Sequence, residues 1–221
     1  EDKKPIVVWN CTRRCNLKCV HCYSHSQDIE YAEEMSTEEG KRLIDQLADF
    51  GAPVILFSGG EPLVRKDLFE LIQYATSKKL RAVISTNGTL IKPEVAKRLQ
   101  DFDLSYVGVS LDGTEKVNDR FRGIEGAFAR AVAGIRNCME AGLKVGLRFT
   151  INGRNASEIP AIFDLVEKEG IPRICFYHLV YAGRGSELIK EDLDHEQTRK
   201  VVDLIIDRTA DLHRRGIPKE V

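Results

Sequence analysis

The sequence predicts an α/β fold in which six parallel strands alternate with helices, and three observations predict it. Short runs rich in Val, Ile and Phe recur at 6–10, 53–57, 81–85, 105–110, 144–150 and 173–178. Several are nearly continuous in apolar residues, as parallel strands buried on both faces are. Longer helical patterns separate them, at 36–50, 67–79, 93–100, 125–141 and 157–169, with a last one over 195–214 that ends at Gly216. The alternation is strict, which calls for a parallel sheet with helices outside it, and right-handed crossovers curl such a sheet towards a barrel. Six strands are two short of a complete eight-fold barrel, so an open six-strand barrel and a doubly wound sheet both satisfy the pattern.

Local signals support each element in turn. The first strand lies in the apolar run Pro5-Ile6-Val7-Val8-Trp9. Ser36 followed by Glu39 has the form of a capping box, in which side chain and backbone satisfy each other's free donors at a helix start. Gly51, Gly142 and Gly170 follow helical patterns where a left-handed residue is expected to close the helix. Residues 182–194, with Gly183, Gly185 and several charges, form the longest loop outside a cysteine-rich segment near the start. No internal repeat, low-complexity tract or linker divides the chain, so residues 1–221 are expected to form one domain. It begins Glu1-Asp2-Lys3-Lys4 without an initiator Met, as a segment of a longer protein would.

Composition narrows the function. The 221 residues are 43% hydrophobic and 30% charged, with a formal net charge of −1. There is no basic excess to attract a phosphate backbone, so nucleic acid is not an expected partner. The apolar runs are too short to span a bilayer and no secretory signal is present, so a cytoplasmic location is expected.

The cysteines are the strongest functional signal. Of six, Cys11, Cys15, Cys19 and Cys22 fall within twelve positions, while Cys138 and Cys175 stand alone in a helical and a strand-like pattern as small apolar residues. A chain with a full core needs no disulfide framework, and a dense thiol cluster in it points to metal. The spacing Cys15-x3-Cys19-x2-Cys22, just after the first strand, places three thiolates in the first strand-to-helix loop, at the catalytic end of such folds. Zinc would favour paired C-x2-C elements across a longer spacer, and a ferredoxin-type carrier the spacing x2, x2, x3. Cys11 belongs to the strand end, which leaves three ligands. Three ligands on a 4Fe-4S cube leave one iron open, as a catalytic centre requires.

Further motifs stand at strand ends. Ser58-Gly59-Gly60-Glu61-Pro62 follows the second strand, where two glycines let the backbone approach a ligand and Glu61 can pair with an ammonium. Ser85-Thr86-Asn87-Gly88 ends the third, and Ser110-Leu111-Asp112-Gly113 the fourth. Such residues also cap loops without any ligand. Arg122 offers a guanidinium fork suited to a carboxylate, and Arg148 and Thr150 on the fifth strand are candidates to point inward.

With these motifs in this order, the chain resembles the radical S-adenosylmethionine (SAM) superfamily over essentially its whole length. The resemblance implies a partial (β/α)6 TIM-like barrel holding a 4Fe-4S cluster on Cys15, Cys19 and Cys22. It implies SAM as cosubstrate, cleaved reductively with an electron from a reducing donor. By resemblance Gly59, Gly60, Glu61 and Pro62 bind the SAM amino group, and Asn87, Ser110, Asp112 and Arg122 contact its ribose and carboxylate. The position before the third cysteine, here His21, touches the adenine in the family, with Tyr23 close by; a ring standing over the cluster is the other reading of His21.

Finer resemblance lies in Val8-Trp9-Asn10, Thr12 to Cys19, Asn118 to Arg122, Val145 to Thr150 and Tyr177 to Gly185. It points to the tetrapyrrole-modifying subgroup, which removes propionates on the way to d-type haem or decarboxylates iron-coproporphyrin to haem. That implies an iron tetrapyrrole substrate and a second iron–sulfur cluster in a C-terminal extension, for which this chain holds no cysteines. His178 and Tyr181 could face such a ligand, and Arg148 or Arg184 could meet its carboxylates. A peptide maturase with an auxiliary cluster is the alternative enzyme, and an iron–sulfur electron carrier the alternative outside catalysis.

Overall fold

A computed structural model describes residues 3–221. The strands are β1 (Val7–Thr12), β2 (Val54–Gly59), β3 (Arg81–Thr86), β4 (Tyr106–Ser110), β5 (Val145–Ile151) and β6 (Ile174–His178). The helices are α1 (Thr37–Phe50), α2 (Leu68–Ser77), α3 (Pro93–Asp101), α4 (Glu115–Arg122), α5 (Ala127–Glu140), α6 (Ile159–Lys168) and α7 (His195–Arg214). All five strand pairings are parallel, in the order β1-β2-β3-β4-β5-β6. That order decides between the two architectures left open by the pattern. A doubly wound sheet reverses its strand order at a switch point, and this sheet never does. It is the partial six-strand barrel.

The helix ends form as their residues dictate. Ser36 accepts from the Glu39 N–H at 3.3 Å while its own N–H donates to Glu39 at 2.8 Å, closing the capping box of α1. Gly51, Gly142 and Gly170 all take positive φ, at 79°, 78° and 69°.

Alternate strand residues face opposite ways, and the two faces differ in chemistry. Ile55, Phe57, Ala82, Ile84, Val107, Val109, Leu147 and Phe149 are buried in the main core. Phe149 meets Phe176 edge-on at 5.8 Å, and Phe176 stacks on the buried Phe163 at 5.7 Å. The residues between them, including Leu56, Ser58, Ser85, Ser110, Arg148 and Thr150, line a cavity of about 400 Å³ inside the sheet.

Two features differ from the sequence expectation. Residues 115–122 form a helix, α4, whose buried residues Asn118, Phe121 and Arg122 are largely polar, so no apolar stripe announced it. The loop at 182–194 is mostly a run of tight helical turns over Gly183–Glu191.

Candidate functional site

The sheet begins the site with an irregularity. Asn10 pairs with Ser58 and Thr12 with the very next residue, Gly59, so Cys11 is an extra residue in β1. A bulge bends a strand and re-aims the chain beyond it. Here that chain is the cysteine loop. Gly59 and Gly60 lie against it. A Cβ on Gly60 would run into the carbonyls of Arg13 and Arg14, and Gly59 takes φ +132° against the carbonyl of Thr12. The glycine pair is therefore needed for loop-to-loop contact as well as for any ligand.

Cys15, Cys19 and Cys22 all reach the cavity wall and form a small cluster apart from the main core, to which Cys11 belongs. Their sulfurs also differ in hydrogen bonding. Cys15 Sγ accepts from the Leu17 N–H at 3.4 Å, Cys22 Sγ from the Ser26 N–H at 3.4 Å, and Cys19 Sγ from Arg122 Nη1 at 3.6 Å. Cys11 Sγ instead donates to the Ser58 carbonyl at 3.4 Å, so it is a protonated thiol. Burial pushes Cys11 and Cys15 alike up to about 12, so the direction of the hydrogen bonds separates them. Burial also raises the Cys22 thiol, but the Ser24 hydroxyl, the Ser26 N–H and the Arg184 charge outweigh it and hold it below the usual value.

Among the described residues no three His, Cys, Asp or Glu side chains converge as they would on a single metal ion. A cube takes each thiolate at a different corner, so its ligands stand wider apart. Three accepting sulfurs on one cavity wall fit such a cluster, and hydrogen bonds to cluster sulfurs tune its potential.

The remaining predicted residues divide into wall and support. On the wall are His21, Tyr23, Gly59, Gly60, Asn87, Ser110 and Arg122. Glu61, Pro62 and Asp112 stand behind it, all buried. Glu61, expected to pair with an ammonium, is held by groups of the protein itself. Its carboxylate accepts from the Thr86 hydroxyl at 2.7 Å and from the N–H groups of Asn87 at 2.7 Å and Leu63 at 3.1 Å, tying the β2 loop to the end of β3. Burial raises its pKa against those bonds. Glu61→Ala is expected to leave cluster iron in place and to weaken SAM binding roughly ten- to hundredfold, because three donors, two of them buried, lose their acceptor and the Gly59–Gly60 backbone loses its anchor. A SAM titration checks this, and unchanged affinity would remove the loop from the site.

Asp112 is likewise an organiser. Its Oδ2 lies 2.5 Å from Arg122 Nη2 and 3.3 Å from His21 Nε2. Burial lowers the His21 pKa, with Asp112 opposing. The His21 ring meets Phe121 edge-on at 5.8 Å, and its Nδ1 is buried without a partner among the described residues. Tyr23 is exposed at the mouth and donates to Asn10 at 3.0 Å.

Arg184, expected to offer a rim cation, turns inward. Its Nε donates to the Cys19 carbonyl at 2.7 Å and its Nη1 to the Ser26 carbonyl at 3.0 Å, while its backbone N–H donates to the Cys22 carbonyl at 2.9 Å. It clamps the cysteine loop from beyond β6, and flanking Gly183 and Gly185 allow the close approach. His178 is exposed and on the wall; Tyr181 is exposed, off it, and bonded to Asp192 at 2.7 Å. Asn16 was not anticipated: it accepts from Asn87 at 2.9 Å and donates to Thr89 at 3.0 Å, joining the cysteine loop to β3. Its place inside the cysteine segment was the only available signal.

Among the described residues no helix is long and apolar enough to cross a membrane. The chain is 66% identical over 221 residues to the Fe-coproporphyrin III synthase of Methanosarcina barkeri, covering 100% of this chain and 55% of that protein. It is 43% identical over 219 residues to the pre-heme d1 synthase of Dinoroseobacter shibae, covering 99% and 54%. The chain thus spans about half the length of these relatives. In fold it is similar to native anSMEcpe with bound AdoMet, at TM-score 0.81 and 19% identity, over 97% of this chain and 62% of that one. The family model of the radical SAM superfamily matches residues 9–166, and the chain belongs to that superfamily.

Proposed function

We propose that this domain modifies the propionate side chains of an iron tetrapyrrole in haem or d-type haem synthesis. The carrying observation is 66% identity across the whole chain to a Fe-coproporphyrin III synthase. Identity of 43% to a pre-heme d1 synthase supports the same substrate class. Superfamily membership brings a 4Fe-4S cluster and SAM, and sets aside the electron-carrier reading.

A bound cluster with SAM supplies hydrogen-atom abstraction from an unactivated carbon. In this reading Cys15, Cys19 and Cys22 hold the cluster, and the Gly59–Gly60 backbone, Asn87, Ser110 and Arg122 hold SAM. Glu61 and Asp112 orient those contacts from behind the wall. Leu17 and Leu56 give the wall an apolar portion beside the cysteines. A second iron–sulfur cluster belongs to the part of the protein beyond this domain, and a reducing protein or small-molecule donor supplies electrons.

The test uses the full-length protein, reconstituted anaerobically under reducing conditions. Iron-coproporphyrin, didecarboxysirohaem and a panel of precursor peptides are each offered with SAM. The expected result is 5′-deoxyadenosine release coupled to mass loss from a tetrapyrrole side chain. Modification of a peptide, with both tetrapyrroles returned unaltered and unbound, would replace this reading with a peptide maturase.

A further inference from the structure

The cavity wall carries three arginines, Arg122, Arg148 and Arg184, and no aspartate or glutamate. Arg122 faces Asp112 at 2.5 Å and donates to Cys19 Sγ. Arg184 has no carboxylate partner among the described residues but gives two side-chain hydrogen bonds, to the carbonyls of Cys19 and Ser26. Arg148, on β5, has neither a carboxylate nor a second hydrogen bond among them. Its Nη1 donates to the Ser85 hydroxyl at 2.9 Å, its Nε is buried with no partner, and it makes no ion pair among the described residues. A guanidinium held partly out of water without an anion is an unfavourable arrangement that a bound anion would relieve.

The backbone is shaped to hold it there. Gly108 of β4 pairs with Gly146 of β5 across the sheet. Glycine inside a strand weakens it and marks a close approach by another group. A Cβ on Gly108 would lie 2.5 Å from Arg148 Nε and 3.1 Å from its Cζ, so the guanidinium lies on bare β4 backbone. Gly146 gives the same room to the Tyr106 hydroxyl, which is also buried without a partner. The Tyr177 ring flanks Arg148, its centroid 5.7 Å from Cζ. Arg148 also stands beside Ser110 in register, so a group bound to it lies next to the proposed SAM site.

We propose that Arg148, seated on Gly108 with Ser85 and Tyr177 beside it, anchors a carboxylate of the substrate, separately from the SAM carboxylate assigned to Arg122. The planar fork of donors on a guanidinium matches a carboxylate. Fixing one carboxylate selects which side-chain carbon faces the reacting centre, so Arg148 determines position as well as affinity. The identity of the substrate rests on the tetrapyrrole reading above.

The test is a binding cycle on the full-length, cluster-loaded protein. Wild type, Arg148→Met and Arg148→Gln are each titrated with iron-coproporphyrin III and with its tetramethyl ester, and separately with SAM alone. The ester removes the charge of every side-chain carboxylate, so the share of Arg148 is read as the change in acid-over-ester preference between wild type and variant. Wild type is expected to prefer the acid by about ten- to hundredfold. Both variants are expected to lose most of that preference through weaker binding of the acid, with affinity for the ester and for SAM unchanged. Arg148→Gln retains a donor towards Ser85 and serves if the methionine variant does not fold. A variant that keeps the wild-type preference overturns the assignment to Arg148 alone. A parallel fall in SAM affinity makes Arg148 a SAM contact and overturns it too. Didecarboxysirohaem and its methyl ester are titrated in the same way, and wild type that binds none of the four compounds overturns the tetrapyrrole reading, and this anchor with it.

Discussion

Replacing Cys15, Cys19 or Cys22 singly with alanine is expected to abolish the iron–sulfur cluster and all SAM cleavage, whereas Cys11→Ala keeps both. The four residues are close in sequence but not in chemistry. The sulfurs of the first three accept hydrogen bonds at a cavity wall, while that of Cys11 donates to Ser58 from within the main core. A thiol donating into a buried carbonyl is protonated, and a metal ligand must be deprotonated. Loss of packing in Cys11→Ala is expected to cost about 1–2 kcal/mol, visible in denaturation without loss of iron. Iron content, the charge-transfer absorption of the reconstituted protein and 5′-deoxyadenosine release measure the rest. Equal loss of cluster in Cys11→Ala and Cys15→Ala would show the three-ligand assignment to be wrong.

Asp112→Ala is expected to be the most damaging change outside the cysteines. Asp112 is fully buried, and its Oδ2 faces both Arg122 and His21. Removing it leaves the buried guanidinium of Arg122 without its carboxylate. Breaking one side of a buried pair costs about 3–5 kcal/mol, because the remaining charge is uncompensated. Arg122 also loses its orientation towards the cavity and towards Cys19 Sγ, so SAM affinity should fall together with stability. Asp112→Asn keeps the volume and an acceptor and should lose less of both. Chemical denaturation and a SAM titration on the two variants check this; an Asp112→Ala protein as stable as wild type would mean that Arg122 has another counter-charge.

How much could be read in advance differs between fold and site. The six strands were legible to within two residues at their ends, because a parallel strand buried on both faces leaves a continuous apolar run. The helix ends at Ser36 and Gly51 were legible because capping and left-handed closure are local chemistry. Helix α4 was not, since the face it turns inward carries Asn118 and Arg122 towards the site, and apolar periodicity is lost where a helix serves a site. The cysteine spacing was legible because it is a pattern over eight residues, and the Gly59-Gly60 pair because two adjacent glycines mark a close backbone approach, although the partner, the loop after β1, was not legible.

The alternation of strands and helices, the helix caps and the cysteine spacing were written in the chain, because each is expressed over a short stretch of residues. That the sheet keeps one strand order and forms an open barrel emerged from the three-dimensional arrangement alone. It alone separated Cys11 from the other thiols and moved Glu61 and Asp112 behind the wall. It also bound Arg184 to the cysteine loop, 165 residues away from Cys19, and left Arg148 without a counter-charge. Which charge meets which partner depends on side chains brought together from distant strands, and a buried charge takes its role from whatever the fold places within a few ångströms of it.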